Sequence, residues 1–322
     1  MALKAITKAS DTIEVSTTIV ALYGQPGTGK TSIGGTSAHP LLLDFDRGSH
    51  RSAFRPDTVK VEAWADVAQI ARDDLAGYST LVVDTAGRAL DFLAAAMPPT
   101  EGKTQLKRPS GGLTLQGFGR LKDDFVSWLR KVNTFGLDVI LICHDKEEKD
   151  GDQRIVRPDI TGGSYHEIVK VADFVGYVAK LDGRSTILDF NPTAQWIGKN
   201  SAGFPPLPVP DFATDPEWFA GIMARMKAAL GGIAQRQKEA VDKLAEFRGQ
   251  IEFAKTAGEL DTWNALIEEA ASLGKPLSLQ AWTALKKAAE GQGLVYDRDA
   301  KAFRAKAEPG QKEGTPEARE AA

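Results

Sequence analysis

The stretch that most limits what this chain can fold into is Gly24-Gln25-Pro26-Gly27-Thr28-Gly29-Lys30-Thr31, with Ser32 behind it. It follows an apolar run over residues 18–23 that reads as a buried strand, and it leads into residues 32–37, which can open a helix. Strand, G-x-x-x-x-G-K-[ST] and helix start in that order make a P-loop. Such a loop holds phosphates without water by curling its backbone N–H groups around them. Glycines allow the close approach, and the following helix adds the positive end of its dipole. The pattern predicts ATP bound by residues 24–32, with the Lys30 ammonium on the β- and γ-phosphates and the Thr31 hydroxyl on Mg²⁺.

Composition sets the background. The 322 residues are 42% apolar and 26% charged, the proportions of a soluble globular chain with one sizeable core and an appendage. A net charge of −3 argues against attraction of the whole protein to nucleic acid, so any such binding must come from local patches. The single cysteine, Cys143, sits in an apolar run; this excludes a disulfide framework and points to an inert buried thiol in a cytoplasmic protein. No apolar run reaches the ~20 residues of a membrane span, and the N-terminus lacks the apolar core of a signal peptide.

Taken in order, residues 1–16 alternate weakly and read as an edge strand or an arm. After the P-loop helix, residues 39–46 form an apolar strand ending in Asp44 and Asp46. A short strand at 59–61 precedes a helical pattern over 64–75, with apolar residues at 64, 67, 70, 71 and 75. Residues 79–85 are another buried strand, tipped by Asp84. Residues 98–119, rich in Pro, Gly, Thr and Lys, read as a long mobile loop before a helix carrying Phe125, Trp128, Leu129 and Val132 on one face. Residues 137–143 are the next buried strand, ending at His144-Asp145, and a polar loop follows over 146–163. Residues 185–190 and 194–197 read as a closing antiparallel pair. The expected fold class is α/β, a mostly parallel sheet covered by helices on both faces, with its ligand site at the carboxyl ends of the strands.

Prolines 205, 206, 208 and 210 mark a linker over 205–213, after an ATPase core spanning 17–204. Beyond it a small helical domain is expected over 214–305. Capping boxes stand at 214–217 and 256–259, and a third helix is expected over 279–289 with Trp282 and Leu285. The charged stretch 306–322 reads as a disordered tail.

Hydrolysis needs groups at the γ-phosphate beyond the P-loop. Asp84 has the position of a Walker B carboxylate that anchors Mg²⁺; the alternative is a helix N-cap, since Ala86-Gly87-Arg88 follows. Asp44 and Asp46, two apart on one strand, are expected on one face, with Asp46 better placed to orient the attacking water. His144 is a candidate γ-phosphate sensor, or else a structural histidine.

The succession of P-loop, Leu43-Asp44-Phe45-Asp46, Leu81-Val82-Val83-Asp84-Thr85, the long loop, Ile140-Leu141-Ile142-Cys143-His144, Asp159-Ile160-Thr161-Gly162-Gly163 and Gly198-Lys199-Asn200 resembles the ATPase core of RecA/RadA-type recombinases. It is most similar to the phage-encoded, RecA-like AAA-type ATP-binding proteins of the single-strand-annealing group, over residues 15–205. The resemblance implies that Asp46 inherits the role of a catalytic Glu and that His144 replaces a γ-phosphate-sensing Gln or Asn. Residues 98–119 then take the place of a first DNA-binding loop, with Lys103, Lys107, Arg108 and Arg120, and residues 146–161 that of a second, with Lys146, Lys149, Arg154 and Arg157. Lys199 matches the first of two cations that reach a neighbour's ATP, while Ser201 stands where the second should be.

The implied activity is ATP hydrolysis stimulated by single-stranded DNA, in filaments or rings with the ATP site at a subunit interface; the helical tail, outside the resemblance, reads most simply as a small domain and otherwise as a grip for a single-strand-binding or replication protein. The implied setting is the cytoplasm of a bacterial host. Against the DNA role, the basic residues of the second loop are nearly matched by Asp145, Glu147, Glu148, Asp150 and Asp152, with no aromatic between 146 and 163 to stack a base. Both stretches also read as solvated loops. Two other functions fit the P-loop: a nucleotide-switched loader or adaptor, and a small-molecule kinase, for which the 98–119 stretch offers only Arg108 as a lid cation.

Overall fold

The computed structural model describes residues 14–150, 153–161, 164–181 and 185–306. The chain divides into two units, one over Glu14–Gly232 and a second that takes in the described residues from Ile233 onward.

The first unit is built on strands β1 (Ile19–Gly24), β2 (Pro40–Asp44), β3 (Asp57–Lys60) and β4 (Thr80–Asp84), then the small hairpin of β5 (Thr100–Glu101) and β6 (Thr104–Gln105). There follow β7 (Asp138–Asp150), β8 (Gln153–Pro158), β9 (Phe174–Leu181), β10 (Ser185–Asp189), β11 (Lys199–Asn200) and β12 (Leu207–Pro208). The sheet runs β12-β10-β9-β1-β7-β4-β2-β3, with β8 added to β7 and β11 to β9. Strands β9, β1, β7, β4, β2 and β3 run parallel to one another, and β8, β10, β11 and β12 pair antiparallel. One strand, β7, therefore separates the P-loop strand β1 from β4.

Helices α1 (Lys30–Gly35), α2 (Ala65–Ala68), α3 (Ala86–Ala96), α4 (Leu115–Asn133), α5 (Ser164–Val171) and the start of α6 (Trp218–Ala257) cover this sheet. Successive residues of a strand face opposite ways. Ile19, Ala21 and Tyr23 enter one core with Leu90, Phe125, Leu129 and Ile168, while Val20 and Leu22 enter another with Ile33, Phe219, Ile222 and Met226. Burial on both faces is why β1, β2, β4 and β7 read as unbroken apolar runs. Cys143 lies within this core, where burial pushes its thiol up to about 12.

Several segments fold differently from their sequence pattern. The helix expected over 64–75 is only α2 and a short 3-10 turn, Asp73–Leu75. Asp66 accepts the N–H groups of Glu62 and Ala63, and Asp74 accepts that of Ala71, so each carboxylate starts a new turn instead of continuing the old one. The stretch 98–119 is ordered rather than a mobile loop: Leu106 is buried, Thr114 caps α4 by accepting the Gly117 N–H, and the Thr114 hydroxyl donates to Gln105 O. The expected polar loop 146–163 is largely a hairpin, because β7 runs on past His144 and β8 returns beside it; Gly162 and Gly163 lie outside the described residues. β10 pairs with β9 and β12, so residues 194–197 are not its partner strand.

The proline-rich stretch is a sheet edge rather than a free linker, since β12 pairs with β10 and Leu207 is buried. The Phe219 N–H donates to Thr36 Oγ1 and the Ala220 N–H to Thr36 O, fastening the start of α6 to the end of α1. The Thr214 hydroxyl donates to Asp211 O, and α6 begins at Trp218. Buried Asp138 accepts from the Thr18 N–H, the Thr18 hydroxyl and the Lys227 ammonium at 2.8, 3.1 and 2.6 Å. These contacts carry the first unit past the expected boundary at 204 to Gly232.

The second unit joins the later part of α6 to α7 (Leu260–Ser272), α8 (Leu277–Gly291) and a hairpin of β13 (Leu294–Asp297) and β14 (Ala302–Ala305) that the expected all-helical domain lacks. Trp263, Leu266, Leu285 and Phe303 fill its core. Thr256 belongs to the last turn of α6, its hydroxyl donating to Glu252 O, and so does not cap α7. The expected arm over 1–16 and tail over 306–322 lie mostly outside the described residues. Among the described residues no helix is long and apolar enough to cross a membrane.

A chain ending at 213 should lose solubility and cooperative melting, because it strips Phe219, Ile222 and Met226 from the core and leaves Asp138 a buried charge without Lys227. A chain ending at 232 should keep both. Soluble yield and thermal melting of the two truncations check this.

Candidate nucleotide site

The P-loop folds as its glycines require. Gly27 and Gly29 have φ of 77° and 88°, left-handed values that a side chain disfavours. At Gly24 a Cβ would lie 2.3 Å from Val178 O. The Lys30 ammonium donates to Gly24 O at 2.7 Å and Gln25 O at 2.8 Å, and the Thr28 hydroxyl to Gln25 O at 2.9 Å, so the loop is closed on its own carbonyls. Burial lowers the Lys30 pKa, partly offset by the nearby Asp84. To reach a phosphate, Lys30 must exchange these carbonyls for it.

The loop borders a cleft of about 530 Å³ at the carboxyl ends of β1, β7, β4 and β2, lined among others by Pro26, Lys30, Thr31, Ser32, Asp46, Arg51, Asp84 and His144. That volume is in the range of small-molecule sites. The Thr31 hydroxyl donates to Asp84 Oδ2 at 2.6 Å. Two hard oxygen donors held that close across the sheet fit Mg²⁺, which is bound by a few carboxylate and hydroxyl oxygens and keeps the rest of its shell as water and phosphate. Burial raises the Asp84 carboxyl; the Thr31 hydrogen bond opposes this, and the Asp46 and Asp44 charges add to it. Thr85, not Asp84, caps α3, accepting the Arg88 N–H.

Asp44 and Asp46 part company, contrary to the expectation that they share a face. Buried Asp44 accepts the N–H groups of Gly48 and Ser49 at 3.0 and 2.9 Å. Burial alone would raise its carboxyl, but the hydrogen bonds from Ser49, Gly48 and Arg47 together hold it below the ordinary carboxylate value. Asp46 lies beyond the strand and lines the cleft, with His144 Nε2 3.5 Å from one oxygen and Arg88 Nε 3.4 Å from the other. The contact with Asp46 raises the His144 pKa, opposed by burial and the Lys30 charge. His144 Nδ1 is buried without a partner among the described residues.

The remaining candidates lie elsewhere. Lys199 pairs with Val175, which is level with Ala21, toward the far end of the sheet from the P-loop. Its ammonium donates to Val169 O, Lys170 O and Ala172 O at the end of α5, and the Ser201 hydroxyl donates to Asp173 O. Within its own chain Lys199 thus caps the C-terminal end of α5. Of the expected DNA-binding cations, Arg120 pairs with Glu101 and Asp124, Arg154 with Glu147, Arg157 with Glu148, and Lys107 donates to Ala95 O. Lys103, Arg108, Lys146 and Lys149 form no ion pair among the described residues.

Sequence reasoning missed Arg51, Ser52 and Arg88. Ser52 joins its hydroxyl to that of Ser32 at 2.9 Å, and Arg88 pairs with both Asp46 and Asp91. No motif marks them; only their closeness to Asp44, Asp46 and Ser32 in the chain and the fold does.

A folded-state pKa raised by Asp46 means that the His144–Asp46 contact stabilises fully below the unfolded histidine value of about 6.5 and is lost as pH rises through the raised value. Asp46→Asn should move the His144 titration to lower pH, measured by histidine ring NMR. An unmoved titration would remove the contact.

The chain matches the AAA domain family over residues 16–202, a span inside the unit that carries the cleft. A search of the curated proteins finds no match to it. The matched span is more than half of the chain, so the protein belongs to the AAA domain family and carries a P-loop ATPase domain of AAA type.

Proposed function

We propose that the protein hydrolyses ATP with Mg²⁺ and uses the cycle to bind single-stranded DNA in recombination, by annealing or strand pairing. The observation that carries the hydrolytic part is the convergence of Lys30, Thr31, Asp84, Asp46 and His144 on one cleft. In this reading the main-chain amides of the P-loop hold the phosphate chain, and Lys30 releases its own loop carbonyls to neutralise the β- and γ-oxygens. Mg²⁺, held by Thr31 and Asp84, would neutralise charge on the same oxygens. Asp46 keeps Arg88 on one oxygen, and its other oxygen orients the attacking water once His144 turns from it to the γ-phosphate.

The DNA part is supported by the course of β7. It carries His144 beside the cleft and continues without a break into the β7–β8 hairpin, which bears Lys146, Lys149, Arg154 and Arg157. A change at the γ-phosphate can therefore reach the hairpin along one strand. The pairing of Arg154 and Arg157 with carboxylates makes the expected affinity modest and salt-sensitive, with log K falling by about 0.7 per neutralised phosphate. The same pairing favours a second reading, a nucleotide-switched loader. Its grip would be the apolar groove of the second unit around Leu279, Trp282 and Tyr296.

Phosphate release and nucleotide binding test both. Lys30→Ala should abolish turnover, and Asp46→Asn should bind ATP normally while hydrolysing it at least about 10²-fold more slowly. A single-stranded oligonucleotide should accelerate turnover at low salt; turnover indifferent to DNA would favour the loader.

A further inference from the structure

Among the described residues, one basic side chain besides Lys30 and His144 lines the phosphate cleft, that of Arg51, and no motif assigns it a role. It sits in a 3-10 turn, Ser49–Arg51, on the loop that leaves β2. That loop is fastened at both ends. At its start the Asp44 carboxylate takes the N–H groups of Gly48 and Ser49, and the Arg51 N–H donates to Gly48 O at 3.0 Å. At its far end the Ser52 hydroxyl meets Ser32, and the Phe54 N–H reaches the same Ser32 oxygen at 3.4 Å. Ser32 follows the P-loop threonine, so the loop is pinned to the helix that receives the phosphates.

Two glycines make room for this arrangement. A Cβ on Gly48 would lie 2.6 Å from Arg51 Nη2, so the missing side chain lets the guanidinium fold back over the turn. A Cβ on Gly35 would lie 2.6 Å from Phe54 O, so the loop seats directly on α1. Arg51 forms no ion pair among the described residues, whereas Arg47 and Arg88 are paired with carboxylates. A buried carboxylate thus sets the turn, and the turn presents an uncommitted guanidinium to a cleft suited to a polyanion.

We propose that Arg51 supplies, from within the same chain, the second cation on the triphosphate, making it a catalytic residue for the hydrolysis proposed above, on which this inference rests. Lys199, engaged with α5, is then not needed for charge neutralisation.

The test is phosphate release by the full chain with Mg²⁺ and ATP over a range of protein concentrations. Turnover per chain should stay constant on dilution. Arg51→Ala should lower kcat by on the order of a thousandfold, the lower end of the 10³–10⁵ that an arginine on the transferring phosphate can contribute. Arg51→Lys should recover part of the loss, and Lys199→Ala should leave kcat unchanged. Circular dichroism and melting of Arg51→Gln, which should match the unsubstituted protein, separate chemistry from misfolding. Full kcat in Arg51→Ala, beside an inactive Asp46→Asn, would overturn the inference. So would turnover per chain that rises with concentration and vanishes in Lys199→Ala. An active Asp46→Asn would instead count against the hydrolytic reading of the cleft.

Discussion

A sheet buried on both faces leaves its polar side chains a single outlet, the rim where its parallel strands end. Between their ends inside the sheet, residues 19–22, 81–83 and 139–143 are apolar, because an unpaired polar group there costs several kcal/mol. At the rim the constraint lifts within one residue. Asp84 follows Val83 and His144 follows Cys143, and each turns from the packed core to the cleft. The 2.6 Å contact between the Thr31 hydroxyl and Asp84 ties the P-loop helix to the tip of β4, a strand that β7 separates from β1. The rest of the site is arranged around this fixed distance.

The second polar anchor is Asp44. Its carboxylate is turned inward to the backbone of the following loop, and its depressed pKa is the sign of hydrogen bonds that favour the charged form over burial. Two residues later Asp46 has no backbone to hold and faces His144 and Arg88. One carboxylate builds the wall of the cleft and the other faces into it. Identical chemistry has been divided by a single turn of chain.

The parts of this arrangement that were legible in the sequence are those fixed by local periodicity or by a motif. The P-loop, the strands tipped by Asp84 and His144, and the amphipathic face of α4 all belong to this class. What escaped depends on contacts between distant residues. The hairpin of β7 and β8 carries charges on both sides and so shows no alternation, and β5 and β6 are too short to leave a pattern. The first unit reaches Gly232 because Thr36, far away in sequence, fastens the start of α6, something no proline run reveals. The contact of Lys199 with the end of α5 joins residues nearly thirty apart, and Arg51 gains its place only once Asp44 has folded the loop.

β7 runs unbroken from the sheet into the hairpin. From His144 to Asp150 it advances about 20 Å at the usual rise per residue. A tilt of a few degrees at the sheet would therefore sweep the outer end through an ångström or more. The displacement at the outer end would exceed that at the sheet in proportion to this length.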